Sequence, residues 1–115
     1  MESIVGNKSF DFAVRVVKLY RYLTETQKEY ILSKQLLRSG TSIGANVSEA
    51  LQGQSKPDFC AKMNIALKEA AETKYWLKLL TATGYLTDQE SQSITSECVE
   101  IEKILYNIVR TARKK

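Results

Sequence analysis

The chain has 115 residues, one proline, no histidine and a formal charge of +4, with 43% hydrophobic and 26% charged residues. That length suits one domain able to bury roughly two-thirds of its unfolded surface, and the composition is that of an ordinary globular protein. The lack of histidine excludes Ser-His-Asp and Cys-His nucleophile pairs and the helical HExxH zinc site, and no uncharged run approaches the roughly 18 residues of a membrane span.

The breakers are few: Pro57 and glycines at 6, 40, 44, 53 and 84. Few, long helices are therefore favoured over a many-turned β fold. The first eight residues have neither a basic start nor an apolar run, so no signal peptide is expected. Cys60 and Cys98 lie far apart in helical context without CxxC spacing, which predicts reduced cysteines in a cytoplasmic protein.

A first helix is predicted over about 9–23, with Phe12 or Ala13, Val16, Leu19 or Tyr20, and Leu23 as its apolar stripe. Thr26 followed by Glu29 fits a capping box, so a second helix is predicted from about Gln27 to Gln52. Within it Leu36, Gly40, Ile43, Val47 and Ala50 recur at steps of 4, 3, 4 and 3. Each interior glycine costs roughly 1 kcal/mol against alanine, so this helix depends on packing. Gly40, Gly44 and Ser48 form a strip without bulk against which a neighbouring helix can approach closely. The alternative is a glycine-marked loop.

Residues 53–56 close that helix, and Pro57 suits the first turn of a third, over about 57–83. Phe59, Met63, Ala66, Ala70, Thr73, Leu77 and Leu80 alternate steps of 4 and 3 without a break. A flanking line (Ile65, Glu69, Glu72, Trp76, Leu79) gives it width for two neighbours or an oligomer partner. Gly84 and Tyr85 predict a Schellman end in which Tyr85 meets Leu80. Thr87 and Glu90 are a second capping box, opening a fourth helix over about 88–113. Its stripe is Ile94, Cys98, Ile101, Leu105, Ile108 and Ala112, with acids early and bases late, as the helix dipole favours. Four long helices with short links predict an all-α fold, an antiparallel up-down-up-down four-helix bundle making a single domain over 1–115.

The second helix also carries a polar stripe, Arg38, Ser42, Asn46 and Glu49. The segment Arg38-Ser39-Gly40-Thr41-Ser42-Ile43-Gly44-Ala45-Asn46-Val47-Ser48-Glu49-Ala50 resembles the signature of the bundle proteins encoded in intervening sequences of bacterial 23S rRNA genes. Glu72-Thr73-Lys74-Tyr75-Trp76-Leu77 resembles that family's second common stretch. Many relatives have Ala-Ala near Ser39-Gly40 and a proline near Gly44, so this chain resembles the glycine variant. The resemblance implies a four-helix bundle that assembles into a pentameric ring, and no catalytic residues come with it. Distant relatives include the accessory protein of diversity-generating retroelements, which binds nucleic acid and a reverse transcriptase. Arg38, Gly40, Ser42, Gly44, Asn46, Glu49, Glu72 and Trp76 are thereby candidates for a structural and assembly motif. A partly buried Arg38 with nearby carboxylates would satisfy its donors and fix helix register; a ligand or partner site and a plain solvated face are the alternatives.

No catalytic, cofactor or metal site is expected. Neither the phosphate-binding loop nor the dinucleotide fingerprint fits, and glutamates 49, 69 and 72 lack the Glu-x-x-His partner of a di-iron bundle. Basic residues are the remaining signal. Arg15, Lys18, Arg21 and Lys28 gather around the first helix, and Arg110, Arg113, Lys114 and Lys115 end the chain. They are candidates for sequence-indifferent phosphate binding, with Tyr20, Tyr22 and Tyr75 able to stack on unpaired bases or to serve as core rim or interface. The leading expectation is a non-enzymatic, cytoplasmic, pentameric bundle that binds RNA or DNA. The alternative is an oligomeric protein-interaction scaffold with incidental positive charge.

Overall fold

A computed structural model describes residues 3–53 and 55–114. Four helices fill it: α1 (Ile4–Glu25), α2 (Leu32–Leu51), α3 (Lys56–Ala82) and α4 (Asp88–Arg113), with no strand among the described residues. They pack as an up-down-up-down bundle measuring 46 × 22 × 19 Å. Each helix lies against its sequence neighbours, and α1 closes the ring on α4 along the thinnest seam.

α1 begins earlier than the stripe of the sequence indicates. The Ser3 hydroxyl accepts the Gly6 amide at 3.0 Å, so the helix is capped at Ser3 and buries Val5 as well as Phe12, Val16 and Leu23. α2 begins later than expected. Thr26 does not cap it; Thr26 ends α1, its own amide bonded to the Tyr22 carbonyl at 2.9 Å. Glu29 reaches forward, not back. Its carboxylate accepts the amides of Ile31, Leu32 and Ser33 at 3.1, 2.9 and 2.6 Å, which fixes the start at Leu32. Burial pushes the Glu29 carboxyl up, but these donors outweigh it and hold its pKa below the ordinary 4.5. Lys28, at φ 58°, turns the chain between the two helices.

The weak glycine-bearing segment is helical throughout. Its neighbour is α1. A Cβ on Gly40 would stand 2.8 Å from both γ carbons of Val16, and one on Gly44 would stand 3.2 Å from the Ser9 carbonyl oxygen. Close approach of two helices thus supplies the contacts that offset the poor propensity. Leu36, Gly40, Ile43, Val47 and Ala50 are buried, and on the other side of α2 the hydroxyls of Ser39 and Thr73 meet at 2.9 Å within the core.

α3 is capped by Ser55, whose hydroxyl accepts the Asp58 amide at 3.2 Å, with Pro57 in the first turn. Met63, Ala66, Ala70, Thr73, Leu77 and Leu80 are buried between α2 and α4, while Phe59 is half-buried. The Schellman end forms. Gly84 has φ 88°, its amide meets the Thr81 carbonyl at 3.2 Å, and the Tyr85 amide meets the Leu80 carbonyl at 3.0 Å. The Thr87–Glu90 capping box forms reciprocally, at 3.0 and 2.8 Å. At the far end of α4 the buried residue is Val109; Ile108 and Ala112 lie at its margin. A straight helix at 3.6 residues per turn drifts from a strict heptad, so the last step from Leu105 is 4 and not 3.

Candidate functional sites at the surface

The polar stripe of α2 divides into separate local groups. Arg38 reaches across to α3, where one nitrogen lies 3.4 Å from Glu69 Oε1 and the other binds Glu72 Oε2. Glu72 Oε2 also accepts the Trp76 indole N–H at 2.9 Å, and Trp76 meets Tyr75 edge-on at 5.1 Å. Arg38, Glu72 and Trp76 are therefore joined, and half of the Arg38 side chain remains exposed. Glu49 is not part of this group. It lies about three turns further along α2 and pairs with Lys62 at 3.0 Å, an interaction that raises the Lys62 pKa through its hydrogen bond and charge. Asn46 bonds back to Ser42, its amide nitrogen 2.9 Å from the carbonyl and 3.0 Å from the hydroxyl. The overlooked member is Glu69. Its step of three from Glu72 places both carboxylates on one face, toward the α2 arginine.

The candidate cations divide as well. Arg15 donates to Glu97 at 2.8 Å and to Ser93 at 3.1 Å, so its charge is spent within the α1–α4 seam, beside Lys8–Glu100 at 3.1 Å. Lys18, Arg21 and Lys28 are exposed around the α1–α2 turn, and no ion pair engages them among the described residues. Arg110, Arg113 and Lys114 are exposed and likewise unpaired there, while Lys115 lies outside the described residues. Because α4 runs antiparallel to α3 and α3 to α2, these two groups sit at opposite ends of the 46 Å rod. One protomer does not merge them into a single patch.

The tyrosines singled out with them have packing roles. Tyr22 is half-buried, its hydroxyl receiving the Gln27 side chain at 3.0 Å, and Gln27 also donates to the Tyr85 carbonyl, tying the two turns at that end. Tyr20 is half-buried and Tyr75 rests on Trp76. An aromatic that stands among unpaired cations is Tyr106. It is 56% exposed, with the Arg110 guanidinium 5.9 Å from its ring centroid. Its step of four to Arg110 and three from Lys103 is the sequence signal that would have marked it.

A third surface is apolar. A groove of about 350 Å³ runs between α1 and α2, floored by Gly44, Ala45 and Ser48 and walled by Phe10 and Leu51. Phe10 on its wall is 68% exposed, and Ile4, six residues earlier on α1, is 73% exposed. Cys98, by contrast, is sealed in the core, where burial and then the nearby Glu102 push its thiol up to about 12. It is held protonated and is no nucleophile. Among the described residues no group of acidic, cysteine or histidine side chains could hold a metal, and no helix is long and apolar enough to cross a membrane.

No curated protein matches the chain. Among solved structures it is similar to a protein of unknown function from the S23 ribosomal protein family of Bacteroides thetaiotaomicron, known from a crystal structure at 1.70 Å resolution. The two are 56% identical over 92% of this chain and 98% of that one, with a TM-score of 0.91. The pattern that defines the 23S rRNA-intervening sequence proteins matches residues 1–107. With both signature stretches inside that span, the chain belongs to the 23S rRNA-intervening sequence protein family.

Proposed function

We propose that this protein is a non-enzymatic, cytoplasmic, self-associating bundle that binds RNA or DNA without sequence preference through its exposed cations. The observation that carries the reading is the set Arg110, Arg113 and Lys114, which project from the end of α4 with no acidic partner among the described residues. Such cations release counterions from a phosphate backbone irrespective of base sequence. The dipole of α4 accounts for bases at its C-terminus, but the dipole does not call for so many. Self-association is supported by the apolar α1–α2 groove and its rim of Phe10 and Leu51. The pentameric ring is the assembly the family resemblance implies, and a ring would repeat a modest basic patch around its axis. Arg38, Glu72 and Trp76, joined across the α2–α3 seam, hold the register of the bundle surface for that assembly.

The experiment is a salt titration. Mixed RNA and DNA should bind at about 50 mM salt and dissociate as salt rises, with a log–log slope reflecting several phosphates. No binding at that salt would leave the second reading, an oligomeric scaffold for another protein, which the exposed apolar groove favours. Native mass spectrometry with and without nucleic acid would give the copy number; a monomer in both samples would remove the ring.

A further inference from the structure

Resting on the nucleic-acid reading above, we infer that Tyr106 is a stacking platform and that the face around it takes single-stranded in preference to double-stranded nucleic acid. Tyr106 stands on α4 between two hollows of about 320 Å³ each. One is rimmed by Lys103 and Asn107, the other by Arg110, Arg113 and Lys114, and Leu67 of α3 lies at the floor of both. The acid at the rim is Glu102, and its charge is already met by Lys74, whose ammonium lies 2.8 Å from it. That hydrogen bond, together with the carboxylate charge, raises the Lys74 pKa, so the Lys74 charge is kept where it offsets the acid. What remains around the ring is positive.

The order along α4 matters. Lys103, Tyr106, Arg110 and Arg113 follow one face at steps of 3, 4 and 3, a track of roughly 15 Å at 1.5 Å per residue. A cation, an aromatic plane and two further cations in line match alternating phosphates and bases of a strand whose bases are free to turn outward. Base stacking on an aromatic ring tolerates any sequence, because each base has a π face. A duplex keeps its bases stacked within itself, so it can use the cations but not the ring. Tyr75, equally exposed at 56%, lacks this setting: it packs on Trp76, beside the Glu72 carboxylate that Trp76 and Arg38 share.

The test compares full-length protein and its variants by fluorescence anisotropy at about 50 mM salt. The probes are a labelled oligothymidylate of about 20 nucleotides, long enough for the site sizes of such platforms, and a DNA duplex of equal length. Tyr106→Leu should weaken oligothymidylate binding about tenfold, equivalent to about 1.4 kcal/mol, and leave duplex binding within about twofold. Tyr106→Phe should bind like the parent, since it keeps the ring. Arg110→Gln should weaken both probes and lower the salt slope by about one. Because Tyr106 is more than half exposed, thermal melts of the variants should coincide with the parent's. If Tyr106→Leu weakens neither probe, or both equally, the platform is wrong while the basic-surface reading stands. Loss in Tyr106→Phe as large as in Tyr106→Leu would also overturn it. A parent that binds neither probe sinks both readings together.

Discussion

α1 is held on its two sides by opposite means. Toward α2 it sinks Val16 and the Ser9 carbonyl against Gly40 and Gly44, where one added methyl would collide with Val16 at 2.8 Å and crowd the Ser9 oxygen at 3.2 Å. Toward α4 the seam is thin and is clasped from outside by Lys8–Glu100 and Arg15–Glu97. The first side gains dispersion at close range, which salt does not screen. The second gains charge attraction at side chains 35–53% exposed, which water and salt weaken. One helix therefore has a seam that is costly to alter and another that should yield easily. If the bundle opens locally, it opens between α1 and α4.

The largest effect should come from filling the close seam. Gly40→Leu places a branched side chain where Val16 already stands 2.8 Å from the position of a bare Cβ. Overpacking of this kind should cost about 3 kcal/mol, seen as a lower urea midpoint. A midpoint equal to the parent's would mean that α1 is free to back away, and the contrast between the seams would collapse.

Next is the turn that directs α2 onto α1. Glu29→Gln should destabilise by about 1–2 kcal/mol at neutral pH, because a carboxylate accepting three amides is replaced by an amide group. The sign with pH follows from the depressed pKa. Stability from Glu29 is complete above its unfolded value and is lost as pH falls through its lower folded value. The gap between parent and variant should accordingly narrow below about pH 4.5, in urea melts taken from pH 7 down to pH 3. A gap that stays constant would assign the effect to shape and not to charge.

That turn also marks what could be read from residues alone. α3 was legible end to end because its stripe keeps the 4-3 rhythm over seven positions and both its ends carry one-dimensional signals, Pro57 at the first and Gly84 at the second. The tight α2 packing was legible in part: Gly40 and Gly44, four apart, lie where α1 comes close, whereas Ser48, the third small residue of the strip, is exposed on the floor of the open groove. Thr26 and Glu29 misled because a capping box is a spacing, and the spacing does not say whether the carboxylate turns back or forward. Ser3 carries no such spacing signal, because Gly6 occupies the place where a glutamate would complete the pattern. The surface was less legible still. Which α3 carboxylates face Arg38, and that Arg15 finds Glu97, depend on the rotation of one helix against another, which spacing within a helix leaves open. The separation of the basic residues into two ends follows from chain direction and needed only the topology.

A smaller effect sharpens the close seam by a change of sign. Gly40→Ala should destabilise the parent by about 1 kcal/mol, since the γ carbons of Val16 must shift from stiff rotamers to admit the methyl. In a Val16→Ala background those carbons are gone. The same substitution should then stabilise by several tenths of a kcal/mol, through the better helix propensity of alanine. Effects of equal sign in both backgrounds would show that Val16 is not what excludes bulk at position 40.

The smallest expected effect belongs to the α1–α4 clasp, and its dependence on salt is the informative part. A double-mutant cycle with Arg15→Gln and Glu97→Gln should give a coupling of about 0.5 kcal/mol at low salt, because both side chains are more than a third exposed. The coupling should fade as salt rises toward about 1 M, where the screening length shrinks to roughly 3 Å. The Gly40→Leu cost should hardly change over the same range, since no charge takes part in it. The contrast predicts local opening too. Amide exchange at α4 residues along this seam should quicken with salt, while amides of α2 around Gly40 should keep the protection of the whole fold. A coupling that survives high salt would mean that Glu97 is dry in solution, and the seam would have to be redrawn as tighter than its exposure indicates.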